Sequence, residues 1–346
     1  MNLDVRMPRA GSATMALVVA VGMVFGADPD LAQTEPQAKP RALRVMTYNI
    51  KHGQTNAACT QPAPIPGQPP FPDCNLDLTA TIEVMREHGA DIIGVQEVDR
   101  FWARSSYLDE PAELAAGVGM NHHCYAANLD HVPDSHSNVP HQYGTVILSR
   151  FPILECGNTL LRRTGTNEQR GLTRALINVR GVPLQFYNTH LHTTAADRLL
   201  QTADIAGVID AAPEGPRLLM GDFNARPTTA EMQPIYLRFL DSWLEAPAPT
   251  AENPSGFTSP ARVSSNPTSR IDYVFVSSDV DVSLAYVPID AKTRLASDHY
   301  PVVSDVALPG SAVGIGRKQP TLPEPLEGED APEVEPEDEV GAPPPM

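Results

Sequence analysis

Leu218-Leu219-Met220-Gly221-Asp222-Phe223-Asn224 sets an apolar run directly against a carboxylate and a carboxamide, and it reads as a buried strand ending in polar side chains. Strand side chains alternate with period 2, so Asp222 and Asn224 are expected on one face, with Phe223 turned into the packing. Taken alone, Gly-Asp-Phe-Asn is better read as a turn cap, because Gly, Asp and Asn are the usual turn residues. Four other segments change that reading by repeating the arrangement: Val45-Met46-Thr47-Tyr48-Asn49, Ile92-Ile93-Gly94-Val95-Gln96-Glu97, Leu184-Gln185-Phe186-Tyr187-Asn188-Thr189-His190 and Arg270-Ile271-Asp272-Tyr273-Val274. A fifth polar group, Ser297-Asp298-His299, precedes the apolar run Pro301-Val302-Val303. Carboxylates, amides and histidines converging from separate strands are what a hard-cation hydrolytic site needs.

Around these motifs, residues 40 to 309 alternate short β-rich runs with a few amphipathic helices. Helices are predicted at Leu76 to His88, with Leu78, Ile82 and Met85 on one stripe, at Pro111 to Val118, and at Asp197 to Asp210 with Leu200, Ile205 and Ile209 inward. Strands are predicted at Leu43 to Ile50, Ile92 to Gln96, Thr145 to Ser149, Ala175 to Val179, Leu184 to Thr189, Leu218 to Met220, Ile271 to Val276, Val282 to Val287 and Val302 to Val306. Paired runs, such as 175–179 with 184–189 across Arg180-Gly181-Val182-Pro183, read as hairpins and point to largely antiparallel sheet. An α+β arrangement of two sheets face to face with helices outside packs such a pattern best. No Gly-rich phosphate loop, internal repeat or Pro/Ser linker interrupts 76–309, which reads as one domain.

The ends differ in composition from this body. Residues 1–27 carry Arg6 and Arg9 and then an apolar run from Met15 to Phe25, the pattern of a secretory signal, with an uncleaved anchor as the alternative. Residues 28–39 form a linker, and no later stretch approaches the roughly 20 apolar residues of a membrane span. The chain is therefore expected to be exported, periplasmic or extracellular. The 310–346 tail is rich in Pro, Glu and Asp and is read as disordered. Its nine acidic and two basic residues contribute −7 of the formal −17, leaving −10 for the rest. A body so charged does not grip polyanions over a broad surface, so phosphate recognition must be local.

Four cysteines follow the signal: Cys59, Cys74, Cys124 and Cys156. An even count in an exported chain favours disulfides, and no CxxC spacing argues for zinc. Cys59 to Cys74 with Cys124 to Cys156 is one of three pairings, and the first would tether the Pro-rich loop between them.

In order along the chain, Tyr48-Asn49-Ile50, Gln96-Glu97-Val98, Asn188-Thr189-His190, Gly221-Asp222-Phe223-Asn224, Arg270-Ile271-Asp272-Tyr273 and Ser297-Asp298-His299-Tyr300-Pro301-Val302 resemble the endonuclease/exonuclease/phosphatase superfamily. The resemblance covers about 40 to 308. It implies a four-layer α/β/β/α sandwich and a divalent cation, usually Mg2+ with Mn2+ able to substitute, supporting in-line attack of water on a phosphate ester. By resemblance, Glu97 is the principal metal ligand with Asn49 beside it, and Asp298 reaches metal or water. His299 is the catalytic histidine steadied by Asp272, and His190 donates to the phosphate or the leaving oxygen. Asp222 orients or deprotonates the attacking water and Asn224 holds a phosphoryl oxygen; the general base is left open between His299 and Asp222. Arg170 is a phosphate-contacting candidate, since a guanidinium binds phosphate in bidentate fashion. Arg104 and Tyr143 are weaker candidates whose simplest account is a solvated loop.

Two departures bear on substrate. Asp99 stands where the deoxyribonuclease pattern has an arginine that enters the minor groove, which disfavours duplex DNA. The 57–75 insertion offers only Ile65 and Phe71 as apolar anchors, which weakens membrane insertion, although Phe101-Trp102 supplies a small patch. The leading expectation is a monomeric phosphodiesterase acting on nucleic acid or a small diester. The alternatives are a sphingomyelinase-like phospholipid phosphodiesterase and a non-catalytic binding module on the same fold. Selectivity is assigned to the loops 57–75, 99–107 and 128–142.

Overall fold

In the computed structural model, side chains along β1 (Arg41–Asn49) alternate between two apolar clusters, Val45 entering one and Met46 and Tyr48 the other. The same alternation divides Ile92 from Ile93 on β2 (Ile92–Arg100) and Leu218 from Leu219 on β8 (Arg217–Asp222). A sheet buried on both faces must carry such continuous apolar runs, and these sheets are covered on one side by each other and on the other by helices. The structure describes residues 41–58, 75–133, 138–247 and 253–310, all within one unit, Ala38–Met346. The signal and linker, the Cys59 to Cys74 bridge and the tail from 311 onward lie outside the described residues.

Among the described residues, twelve strands form two six-stranded sheets. The first runs β11 (Asp281–Tyr286), β12 (Val302–Leu308), β1, β2, β4 (His141–Ser149), β3 (His122–His131). The second runs β5 (Ile153–Leu160), β6 (Gly171–Val179), β7 (Val182–His190), β8, β10 (Asp272–Val276), β9 (Leu240–Asp241). Each sheet is antiparallel except for one parallel pair, β1 with β2 and β7 with β8. These two pairs are joined by the crossover helices α1 (Leu78–His88) and α3 (Ala195–Ala211), as parallel neighbours require. The fold is thus the expected two-sheet sandwich with flanking helices.

The central cluster, with Val45, Ile92, Ile147, Ile177, Phe186, Leu218 and Val274, lies between the sheets. Leu78, Val84 and Met85 of α1 and Leu114 of α2 (Glu110–Val118) pack on the outer face of the first sheet. Ile205 and Ile209 of α3 join Phe223, Tyr236 and Phe275 on the outer face of the second. The Asp77 carboxylate caps α1 by accepting from the Thr79 and Ala80 amides, and left-handed Gly89 ends it. The β6 to β7 hairpin closes through Arg180 and Gly181, both at positive φ, which sets the twist of a two-residue turn. Cys124 on β3 and Cys156 on β5 form a disulfide with a Cα separation of 5.6 Å, joining the edge strands of the two sheets. No helix among the described residues is long and apolar enough to cross a membrane.

Several expected boundaries change. Strands β3 and β5 and helix α4 (Ala291–Ala296) were not predicted, and both ends of the presumed 128–142 loop belong to β3 and β4. β2 continues four residues beyond Gln96, through a bulge opposite Thr145.

Candidate active site

Parallel strands in one sheet bring their carboxyl ends to one rim, and here both parallel pairs point to the same end of the sandwich. β1 delivers Asn49, β2 Glu97, β7 His190 and β8 Asp222; antiparallel β10 begins at Asp272 on that rim, and the turn before β12 carries His299. The register sets Asp222 directly between His190 and Asp272.

Asn49 joins the two sheets at this rim. Its amide nitrogen donates to Glu97 Oε1 at 2.6 Å and to Asp222 Oδ2 at 3.1 Å, while its oxygen accepts from the Lys51 amide. Glu97 sits at the β2 bulge with φ 56, a left-handed conformation that is uncommon for a non-glycine residue and is typical of functional sites. Its side chain would otherwise follow the strict alternation of the strand; the bulge re-aims it toward Asn49.

Gly221 precedes Asp222 at φ 145, where a Cβ would lie 1.9 Å from the Thr189 carbonyl oxygen. Only glycine lets β8 approach β7 this closely. Phe223 turns outward into the packing, edge-on to Tyr273 and Phe275. Asn224 does not share strand alternation with Asp222, as the period-2 reading held. The strand ends at Asp222, and Asn224 reaches the cluster through its own left-handed backbone, φ 48, with its amide N–H donating to Asp222 Oδ1 at 2.8 Å.

The His299 Nδ1 lies 2.9 Å from Asp272 Oδ2 and 3.8 Å from Asp222 Oδ2, all three side chains being nearly buried. Burial alone would push the imidazole down, but the adjacent Asp272 and Asp222 outweigh it and hold His299 well above its ordinary value. Asp298, next along the chain, points elsewhere and pairs with Lys51 Nζ at 3.1 Å. Asp222, Asp272 and His299 each offer a ligand atom within 4.8 Å of the others, so this trio could hold a metal ion. The buried Asp272 Oδ1 has no hydrogen-bond partner in the structure, the situation of an oxygen that faces a cation or water.

His190 is approached by donors on both ring nitrogens: Arg170 Nη1 at 2.8 Å from Nδ1 and the Asn224 amide nitrogen at 3.1 Å from Nε2. A guanidinium can only donate, so Nδ1 is the accepting atom and the ring proton sits on Nε2; an amide nitrogen cannot accept that proton, so the Asn224 side chain is held instead by its bond to the Leu191 carbonyl. That nitrogen is 3.5 Å from Asp222 Oδ2.

Arg170 itself is 2% exposed and pairs with Glu168 at 3.2 Å, behind His190. The structure also overturns the solvated-loop account of Arg104 and Tyr143. Arg104 gives two parallel bonds, 2.7 and 2.8 Å, to the fully buried Asp99, and its guanidinium lies 5.4 Å over the ring of Tyr143, a 4% exposed residue of β4. A buried carboxylate needs a partner, and Asp99 takes Arg104. Sequence reasoning missed Lys51, whose only signal was its place two residues after Asn49, and the Glu168 partner of Arg170.

Solved structures share this architecture. An endonuclease/exonuclease/phosphatase from Beutenbergia cavernae is 24% identical, over 78% of this chain and 72% of that one, with a TM-score of 0.57. A mannosyl-6-phosphatase from Bacteroides thetaiotaomicron is 19% identical, over 76% and 99%, with a TM-score of 0.56. A humanized TDP2 from D. rerio is 18% identical, over 77% and 98%, with a TM-score of 0.50. No curated protein matches the chain in sequence. The model of the Endonuclease/Exonuclease/phosphatase family matches residues 46–299, and the chain belongs to that family.

Proposed function

We propose that the protein is an exported, divalent-metal-dependent phosphoesterase that hydrolyses phosphodiester bonds, as a nuclease does, by in-line attack of an activated water. The observation that carries this reading is the single Asn49 amide tying Glu97 of one sheet to Asp222 of the other, beside the His299 and Asp272 pair. The donor set fits a hard cation: the carboxylates of Glu97, Asp222 and Asp272 gather at a strand-end rim, with a buried Asp272 oxygen left unsatisfied. Glu97 and Asn49 would hold Mg2+ or Mn2+, with Asp298 beside them, and the ion would supply Lewis-acid stabilisation of charge on the phosphate oxygens.

The side chains take the remaining roles. Asp222, fixed through one oxygen by the Asn224 amide and through the other by Asn49, orients water and accepts its proton. With Asp272 and Asp222 raising His299 well above its ordinary value, we take Asp222 as the base and His299 as a stabiliser of developing negative charge. His190, with its proton on Nε2 and Arg170 behind it, donates to a phosphoryl or leaving oxygen; Arg170 orients the ring, and the Asn224 amide holds a second phosphoryl oxygen. Tyr143, packed under Arg104, is our candidate for a further phosphate contact on the first-sheet side. Export is supported by the disulfide between Cys124 and Cys156, a bond that persists in oxidising compartments.

Purified protein should be assayed on DNA, RNA, bis-p-nitrophenyl phosphate, sphingomyelin vesicles and phosphomonoesters, each with Mg2+ and with EDTA. Diester turnover that requires metal and vanishes in folded His299→Ala is the expected result. Preferential cleavage of vesicles or of monoesters would replace the substrate class, and no hydrolysis by folded protein would leave a binding module.

A further inference from the structure

Past the active-site rim the first sheet outruns the second. β2 is bulged at Gln96 and Glu97, opposite Thr145 of β4, and β3 is bulged at Asn128, between the partners of Gly144 and Tyr143; such bulges bend and twist the strands that carry them. The second sheet ends at this line: Asn158, near the end of β5, donates to the Ala127 carbonyl, and a Cβ on Gly171, the first residue of β6, would lie 2.2 Å from Asn128 Oδ1. Beyond it, register pairs Asp99 with Tyr143 and His131 with His141. These four share the inner face, since Thr145, two residues from Tyr143, bonds Thr173 across the sandwich. Among the described residues no strand of the second sheet opposes them.

This overhang is built of flat groups. Asp99 locks the Arg104 guanidinium, which lies 5.3 Å over the Trp102 ring, and the indole is pinned by its N–H donating to the Gln142 carbonyl at 2.8 Å. His131, exposed, meets the indole edge-on at 5.3 Å. Gln142 faces Arg100, three residues beyond Glu97, so the indole is anchored about 10 Å along the strand from that carboxylate. The Arg104 charge is close enough to feel that of Glu97.

We infer that the overhang is a base subsite: a nucleobase, one pentose away from the reacting phosphate, stacks on the face of Trp102 opposite Arg104, with His131 at its edge. This rests on the phosphoesterase reading for the position of the phosphate. Stacking rather than charge is the attraction, because Arg104 is already neutralised by Asp99 and the chain carries a formal −17, which opposes tracking a long polyanion. The substrate class is therefore a short nucleotide ester.

Thymidine 5′-p-nitrophenyl phosphate and methyl p-nitrophenyl phosphate release the same group and differ by the nucleoside. The wild type should prefer the thymidyl ester in kcat/KM, and Trp102→Ala should cut the preference about 10-fold. His131→Ala, on an exposed side chain, should cut it less and guards against misfolding of the Trp102 variant. No preference, or a preference unmoved by both variants, overturns the subsite. Failure to hydrolyse either ester defeats the phosphoesterase reading instead, and a binding measurement still decides the subsite. The chain has two tryptophans, so Trp243→Phe leaves Trp102 as the sole reporter. Its emission should be quenched saturably by thymidine 5′-monophosphate and not by ribose 5-phosphate; equal or absent quenching refutes the proposal.

Discussion

Replacing Asp272 with Asn keeps the size of the side chain and removes one charge from the shortest histidine–carboxylate pair of the site. The pair has a 2.9 Å contact and side-chain exposures of 11% for His299 and 1% for Asp272. Breaking a buried pair by removing one partner costs about 3–5 kcal/mol. Asp222 stays 3.8 Å away and still favours the imidazolium, so a loss near the lower end, about 3 kcal/mol, is expected in metal-free protein. The pH dependence has a defined sign. His299 is raised in the folded state, so its contribution is fully present below the ordinary histidine value of about 6.5 and is lost as pH rises through the folded value. Urea unfolding of both proteins in EDTA should show a stability gap that is largest near pH 6 and closes at alkaline pH. In the same variant kcat should fall about 10³-fold or more, as when an orienting carboxylate is neutralised. A gap that is constant or grows with pH, or a kcat within a few-fold of wild type, refutes the role given to Asp272.

Removing the Cys124 to Cys156 bridge by a double Ser substitution releases a 32-residue separation, for which loop-closure entropy gives about 3–4 kcal/mol. Denaturant melts should show that loss, with edge strands β3 and β5 the first to exchange their amides. Gly221→Ala forces a Cβ into the Thr189 carbonyl at positive φ, so soluble yield or Tm should collapse, whereas a solvent-exposed glycine such as Gly181 should tolerate better any residue adapted to positive φ. Arg170→Lys keeps charge but loses the planar donor on His190 Nδ1, and should lower kcat with little change in KM; a changed KM alone would make Arg170 a direct substrate contact.

The site was legible because each of its members ends or begins an apolar run, and strand ends are where a two-sheet sandwich exposes side chains. Asp222, His190 and Asp272 come together simply through the register of β7, β8 and β10. Local backbone departures were not legible: neither the bulge that turns Glu97 nor the left-handed Asn224 follows from a period-2 pattern. Edge strands escaped for a different reason. β5 is exposed or half-buried along its whole length, and β3 mixes histidines with alanines, so neither shows the apolar alternation that marks a strand. Arg104 and Arg170 look like ordinary surface arginines in sequence; their partners, Asp99 and His190, are set by tertiary packing.

The most direct test is a Mg2+ titration of bis-p-nitrophenyl phosphate turnover, after exhaustive EDTA treatment, in the wild type and in Glu97→Gln. The account predicts no turnover in EDTA, saturable recovery with Mg2+ in the wild type, and a requirement at least about 10-fold higher, or no recovery, in the variant. Turnover that persists in EDTA, or identical titration curves for the two proteins, would contradict it.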